Sequence, residues 1–250
     1  MKAKSYSKHA TSKWLVAILV SLVSFLASLN VTFGQALITE DFSYTVGTAL
    51  TANGYTAISG AGTDAVTVTS PGLTYTGSPS SGVGNAITMT TSGEDVTKTF
   101  TPITSGSAYA SFFVKVSSAQ ATGDYFFSVM SGGGFPLRFY IKSSGAGYVF
   151  GISKGSGTIS WDATERAFGT TFLVVTKYTY NSGSTTDDAV SMFINPALGS
   201  SEPTPTVGPT TSGGAIADVT TLDRFGLRQG SATAASAQVV DGIRVGTTWA

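Results

Sequence analysis

Short runs rich in β-branched and aromatic residues follow one another along most of this chain, each closed by Gly, Ser, Asn or Pro, and beyond Ala36 no segment carries a convincing helical period. The runs are Ala65 to Thr69, Leu73 to Thr76, Ala86 to Thr90, Val96 to Phe100, Tyr109 to Val116, Tyr125 to Met130, Leu137 to Lys142, Tyr148 to Ser153, Phe172 to Tyr180, Val190 to Asn195, Phe225 to Gln229 and Val239 to Val245. That many strands at this spacing predict an all-β chain, a two-sheet antiparallel sandwich or a barrel. No fixed-period repeat is present, which disfavours a solenoid or propeller. At the centre lies Phe172 to Pro196, two strand-forming runs around a polar connection, which reads as a β-hairpin.

The chain has 250 residues, of which 11% are charged, and no cysteine. A domain of that size buries roughly 70% of its unfolded surface, so packing and backbone ladders hold it without disulfides. Residues Met1 to Lys13 are basic and Trp14 to Leu29 are apolar, followed by small residues, the grammar of a secretory signal. The expectation is a signal peptide over residues 1–36, cleaved after Ala36 so that no membrane span remains. Residues 37–250 then form one sandwich domain, secreted or at the cell surface, with further modules following it. Lys2, Lys4, Lys8 and Lys13 leave with the signal, so ten basic side chains face fourteen acidic ones. A mildly acidic chain argues against nucleic-acid binding.

Asn195 to Asp218 carries Pro196, Pro203, Pro205 and Pro209 among Gly, Ser and Thr. Proline removes ladder donors, so this segment is expected to be an extended surface crossover.

The only histidine, His9, lies in the export segment. The mature chain therefore offers no Ser-His-Asp triad, no Cys-His pair and no His/Cys zinc site. Carboxylates remain, as Glu40-Asp41, Glu94-Asp95, Asp162 with Glu165, and Asp187-Asp188. None is spaced to aim two carboxyl groups from one strand into a cleft, so no catalytic residue is assigned and enzymatic activity is disfavoured. Asp187 and Asp188, in the hairpin connection, offer hard oxygen ligands and are the candidates for a structural calcium ion.

Alternation along the strands assigns faces. Phe112, Val114 and Val116 oppose Phe113 and Lys115. Leu137, Phe139 and Ile141 oppose Arg138, Tyr140 and Lys142. In the hairpin, Val174, Tyr178, Met192 and Ile194 face the core, while Lys177 and Phe193 point away. If these strands share a sheet, its outer face gathers Lys115, Arg138, Tyr140, Lys142, Lys177 and Phe193, with Phe113 among them. Rings stack on sugars and cations pair with carboxylates or sulfates, so the expected partner is an acidic polysaccharide or surface glycan. The plainer alternative is a solvated face on which long cationic stems cover apolar surface.

The segments Leu37-Ile38-Thr39-Glu40-Asp41-Phe42, Met192-Phe193-Ile194-Asn195-Pro196, Phe225-Gly226-Leu227-Arg228-Gln229-Gly230 and Val240-Asp241-Gly242-Ile243-Arg244-Val245 together resemble secreted bacterial concanavalin A-like modules. In layout they are similar to laminin-G-like and pentraxin-like jelly rolls. The resemblance implies a jelly-roll sandwich of the lectin/glucanase type, as found in exported proteins such as type IX secretion cargo. It also implies a structural role for Asp241, capping a turn at a strand edge. The Glu-x-Asp-x-x-Glu strand of related sandwich hydrolases is absent. Three functions stay open: a non-catalytic carbohydrate-binding or adhesion module, a carbohydrate-active enzyme with a sheet-cleft site, and a spacer in a larger extracellular protein.

Overall fold

The computed structural model describes Met1 and residues 36–249; the expected signal peptide lies almost entirely outside the described residues. Fifteen strands follow in order: β1 (Ile38–Glu40), β2 (Thr56–Ser59), β3 (Thr67–Thr69), β4 (Ala86–Met89), β5 (Asp95–Ile103), β6 (Ser107–Ser118), β7 (Asp124–Ser131), β8 (Gly134–Ser144), β9 (Gly147–Lys154), β10 (Ser160–Trp161), β11 (Thr171–Thr179), β12 (Ala189–Ile194), β13 (Val207–Thr210), β14 (Leu222–Leu227) and β15 (Ala237–Gly246). Among the described residues no helix is long and apolar enough to cross a membrane.

The strands form a two-sheet antiparallel jelly-roll sandwich. The back sheet runs β13-β12-β11-β6-β15-β4-β3, with β1 also on β15; the front sheet runs β10-β9-β8-β7-β14-β5-β2. Alternation drives this division, because each strand has one apolar side to bury. Phe112 from the back sheet meets Phe127 and Phe139 from the front, with centroids 4.4 and 5.5 Å apart. The central hairpin forms as expected, with Val174 opposite Ile194 and Tyr178 opposite Val190, and with Val174, Tyr178, Val190 and Met192 fully buried.

Two sequence expectations change. Leu73 to Thr76 is not a strand: the Leu73 N–H donates to the Asp241 carboxylate (2.7 Å) and the segment lies as a flap over the back sheet. The proline-rich crossover is not wholly irregular, since it contains β13, paired with β12. That strand is outermost in its sheet, where Pro209 can lack a donor without breaking a central ladder.

An ion pair joins inward-facing positions near each side of the sandwich. Glu40 of the back sheet pairs with Lys98 of the front and also accepts from the Phe42 N–H (2.9 Å), Tyr44 Oη (2.8 Å) and Tyr55 Oη (3.1 Å). Lys154, fully buried at the end of β9, pairs with Asp218. A charge that deep persists only where its partners replace water.

The back sheet's outer side is largely roofed by the chain itself. Tyr75 stacks on Phe113 at 5.8 Å within a small cluster that includes Leu73 and Leu173. Trp249 packs on Phe193 (4.8 Å) and Tyr109 (6.0 Å).

Candidate functional site

The face expected from the sequence is divided between the two sides of the sandwich. Lys115, Lys177, Phe113 and Phe193 belong to β6, β11 and β12 in the back sheet, whereas Arg138, Tyr140 and Lys142 belong to β8 in the front. The premise of a shared sheet fails because alternation fixes which residues share a strand face but not which sheet a strand joins. Phe113 and Phe193 are covered as described above. Lys177 is held by both Glu202 oxygens, at 2.8 and 3.0 Å, and Tyr109 Oη donates to Glu202 at 2.6 Å. Partial desolvation raises the Glu202 carboxyl, but the Lys177 and Tyr109 hydrogen bonds outweigh it and hold it below the usual carboxylate range.

On the front sheet the expected residues do converge, with companions the sequence did not single out. Successive pairings place Trp161 opposite Gly151, Gly151 opposite Tyr140 and Tyr140 opposite Tyr125, a row across four strands. Side chains in such a row sit about 4.8 Å apart, the strand spacing. A parallel row pairs Ser153, Arg138, Ser128, Gly226 and Thr97 in turn. Its hydroxyl residues are buried, so long neighbours fold over a floor of small side chains. Gly151 is required here: a Cβ would lie 2.6 Å from the Trp161 ring.

Cations lie on these rings. The Arg138 guanidinium is 4.9 Å from the Tyr125 centroid and 5.7 Å from Phe135. Arg228 is 4.4 Å from the Tyr125 centroid, and Lys142 Nζ is 4.2 Å from that of Trp161. Such contacts strengthen as water is excluded. Arg228 is neutralised by Asp124 at 2.6 Å and Asp95 at 3.8 Å, and Arg224 by Asp223 at 2.9 Å. Arg138 and Lys142 have no carboxylate within 4.0 Å among the described residues, and the buried Arg138 Nε has no hydrogen-bond partner. Burial raises the Tyr125 phenol even though Arg228 and Arg138 pull the other way, so it stays a neutral donor. Tyr125, Phe135, Trp161 and Arg228 were the missed members. The signal for Tyr125 was its alternation in β7, but Trp161, on a two-residue strand, left no period to read.

The expected calcium ligands Asp187 and Asp188 do meet, and Asp218 joins them with candidate oxygens all within 4.8 Å. These oxygens are committed, however. Asp218 takes Lys154 and the N–H groups of Asp187 (3.2 Å) and Asp188 (3.0 Å). Asp188 takes the Asn181 N–H (2.6 Å) and Tyr178 Oη (2.7 Å), and Asp187 Oδ2 takes the Ser184 N–H (3.0 Å). Only Asp187 Oδ1 is without a partner. Calcium wants six to eight oxygens. The donor set does not fit it while the Lys154 ammonium stands among the carboxylates.

No protein family and no curated protein matches the sequence. Among solved structures, the chain is similar to an alginate lyase, Aly36B, in complex with alginate tetrasaccharide. The identity is 13% over 83% of this chain and 95% of that one, with a TM-score of 0.49. It is similar to an endo-β-1,4-glucuronan lyase of Trichoderma reesei, with 14% identity, 86% and 96% coverage and a TM-score of 0.44. It is also similar to the CBM2 module of the evolved Dit of Lactobacillus casei BL23 phage J-1, with 12% identity, 85% and 95% coverage and a TM-score of 0.46. At these identities and scores the likenesses do not decide what this chain binds. The concanavalin A-like affiliation rests on the short motifs alone.

Proposed function

We propose that this chain is an exported, non-catalytic module that binds an anionic polysaccharide on the outer face of the front sheet. The observation that carries the reading is Arg138: a guanidinium lying against Tyr125 and Phe135, with a buried Nε lacking a partner and no carboxylate at hand. The partly exposed guanidinium can take a glycan carboxylate or sulfate on its terminal nitrogens, as a planar group suited to paired bonds. Tyr125 and Trp161, partly exposed beside these cations, give aromatic surface for the apolar sides of sugars, and Lys142, beside Trp161, offers a second cation. Lys142 lies four residues from Arg138 on one strand face, so the two anchors stand about 13 Å apart. The back sheet's outer side is a weaker candidate because Lys177 already has its carboxylate in Glu202.

The test is affinity electrophoresis and calorimetry against polygalacturonate, alginate and heparin, with dextran as the neutral comparison. The expected result is retention by at least one anionic polymer and release as salt rises. Arg138→Ala should weaken binding by about 2 kcal/mol, the scale of a charge-assisted hydrogen bond. Equal retention by dextran, or no retention at all, overturns the reading. Release of unsaturated or reducing ends from any polymer would replace binding by catalysis.

A further inference from the structure

A second, chemically different recess lies on the opposite side of the sandwich. Between the outward faces of β11 and β12 and the crossover after β12 is a groove of about 470 Å³. That volume is within the range of small-molecule sites. Thr179 and Ser191 belong to its floor, and Pro205, Pro209 and Thr211 to the crossover that walls it, with Asn181 and Asp187 at one end and Lys177 and Glu202 at the other.

The wall is anchored in place. Glu202 is tied to Lys177 and Tyr109, the Ser200 carbonyl accepts from Trp249 Nε1 at 3.0 Å, and the Thr206 N–H donates to the Met192 carbonyl at 2.9 Å. A recess with both ends of its wall fixed loses little ordering entropy when filled. Its polar lining is under-used. The hydroxyls of Thr179, Ser191 and Thr211 take no side-chain hydrogen bond among the described residues. Of the charged lining residues, Lys177 is paired with Glu202, leaving Asp187 and a net negative balance that repels anions.

We infer that this groove binds a neutral, hydroxyl-rich ligand of one or two sugar rings. Unpartnered hydroxyls supply donors and acceptors for sugar hydroxyls. The proline rings supply apolar surface, and the negative balance turns away the acidic polymer proposed for the front sheet. The inference is independent of that proposal, because it uses none of the same residues and calls for the opposite charge preference.

The experiment is calorimetric titration of the protein with cellobiose, maltose and lactose, alongside galacturonic acid disaccharide. One neutral disaccharide is expected to bind with a dissociation constant below about 10 mM, and the acidic one not to bind in this groove. The double variant Thr179→Val with Thr211→Val keeps side-chain shape and should weaken the neutral ligand at least tenfold without moving the unfolding midpoint. Arg138→Ala, on the other side, should leave it unchanged. Backbone amide shifts on titration should cluster at residues 177–191 and 202–211. Absence of binding by all three neutral sugars, binding unaffected by the double variant, or shifts confined to the front sheet would each overturn the inference.

Discussion

Asp241 is fully buried in β15 and accepts from the Leu73 N–H at 2.7 Å and from the Gly242 N–H at 2.6 Å. Burial raises its carboxyl to about 7, partly offset by those two bonds and reinforced by Asp41 and Glu40. A folded value above the unfolded one means the native state holds the extra proton between about pH 4 and 7, so stability falls as pH rises through that window. The shift corresponds to at most about 4 kcal/mol. Urea midpoints measured from pH 4.5 to 8 should decline, and Asp241→Asn should flatten the decline. An unchanged slope in the variant would remove Asp241 from the account. The resemblance gave Asp241 a turn-capping role at a strand edge; it lies instead inside the strand, pinning a flap reached 168 positions away in sequence. Lys154 is the complementary case. Lys154→Met leaves carboxylates without their buried cation and should cost about 3–5 kcal/mol by chemical denaturation. Lys177 shows why reading single residues fails: its outward direction follows from alternation, but the Glu202 that occupies it stands 25 positions on, across a loop.

Strands were the most legible level. Period-two alternation in β6, β8, β11 and β12 carries its own evidence, and the core sides of all four follow from it. The short strands β1, β2, β10 and β13 span too few residues to establish a period. Which sheet each strand joined was not legible, because partner choice depends on connections rather than on the strand itself. That omission split the expected site. Glycines test the element scale directly. A Cβ at Gly147 would drive into the Arg166 carbonyl, where β9 meets the isolated bridge between Tyr148 and Arg166. Gly147→Ala should therefore lower stability by about 1–3 kcal/mol, read from the thermal midpoint. Gly151→Val should act differently, displacing Trp161 from the front face and weakening anionic-glycan retention while core packing is kept.

At the scale of the whole molecule, the outer side of the back sheet is roofed by the flap and by Trp249. The sequence supports an all-β domain without cysteine, yet nothing in it says which sheet the flap and crossover would cover. The ion pair of buried Lys154 with Asp218 also bears on metal dependence. With Lys154 among the three aspartates, adding millimolar calcium or chelator should move the thermal midpoint by less than about 1 °C, since an ion that does not bind the native state cannot stabilise it. A calcium-induced rise of several degrees would show that the ammonium gives way.

The pairing of β1 with β15 has a mechanical consequence. Ile38 faces Val245 and Glu40 faces Ile243, so the chain enters and leaves the back sheet side by side. Tension between residues 37 and 246 loads that ladder one bond at a time, like a zipper, rather than sharing the force along its length. Under load β1 should peel first, at low force, until the pull reaches Glu40 and its contact with Lys98. Both surfaces proposed to bind sugars are built from other strands, so on that proposal a tethered molecule gives way at its first strand and keeps its grip.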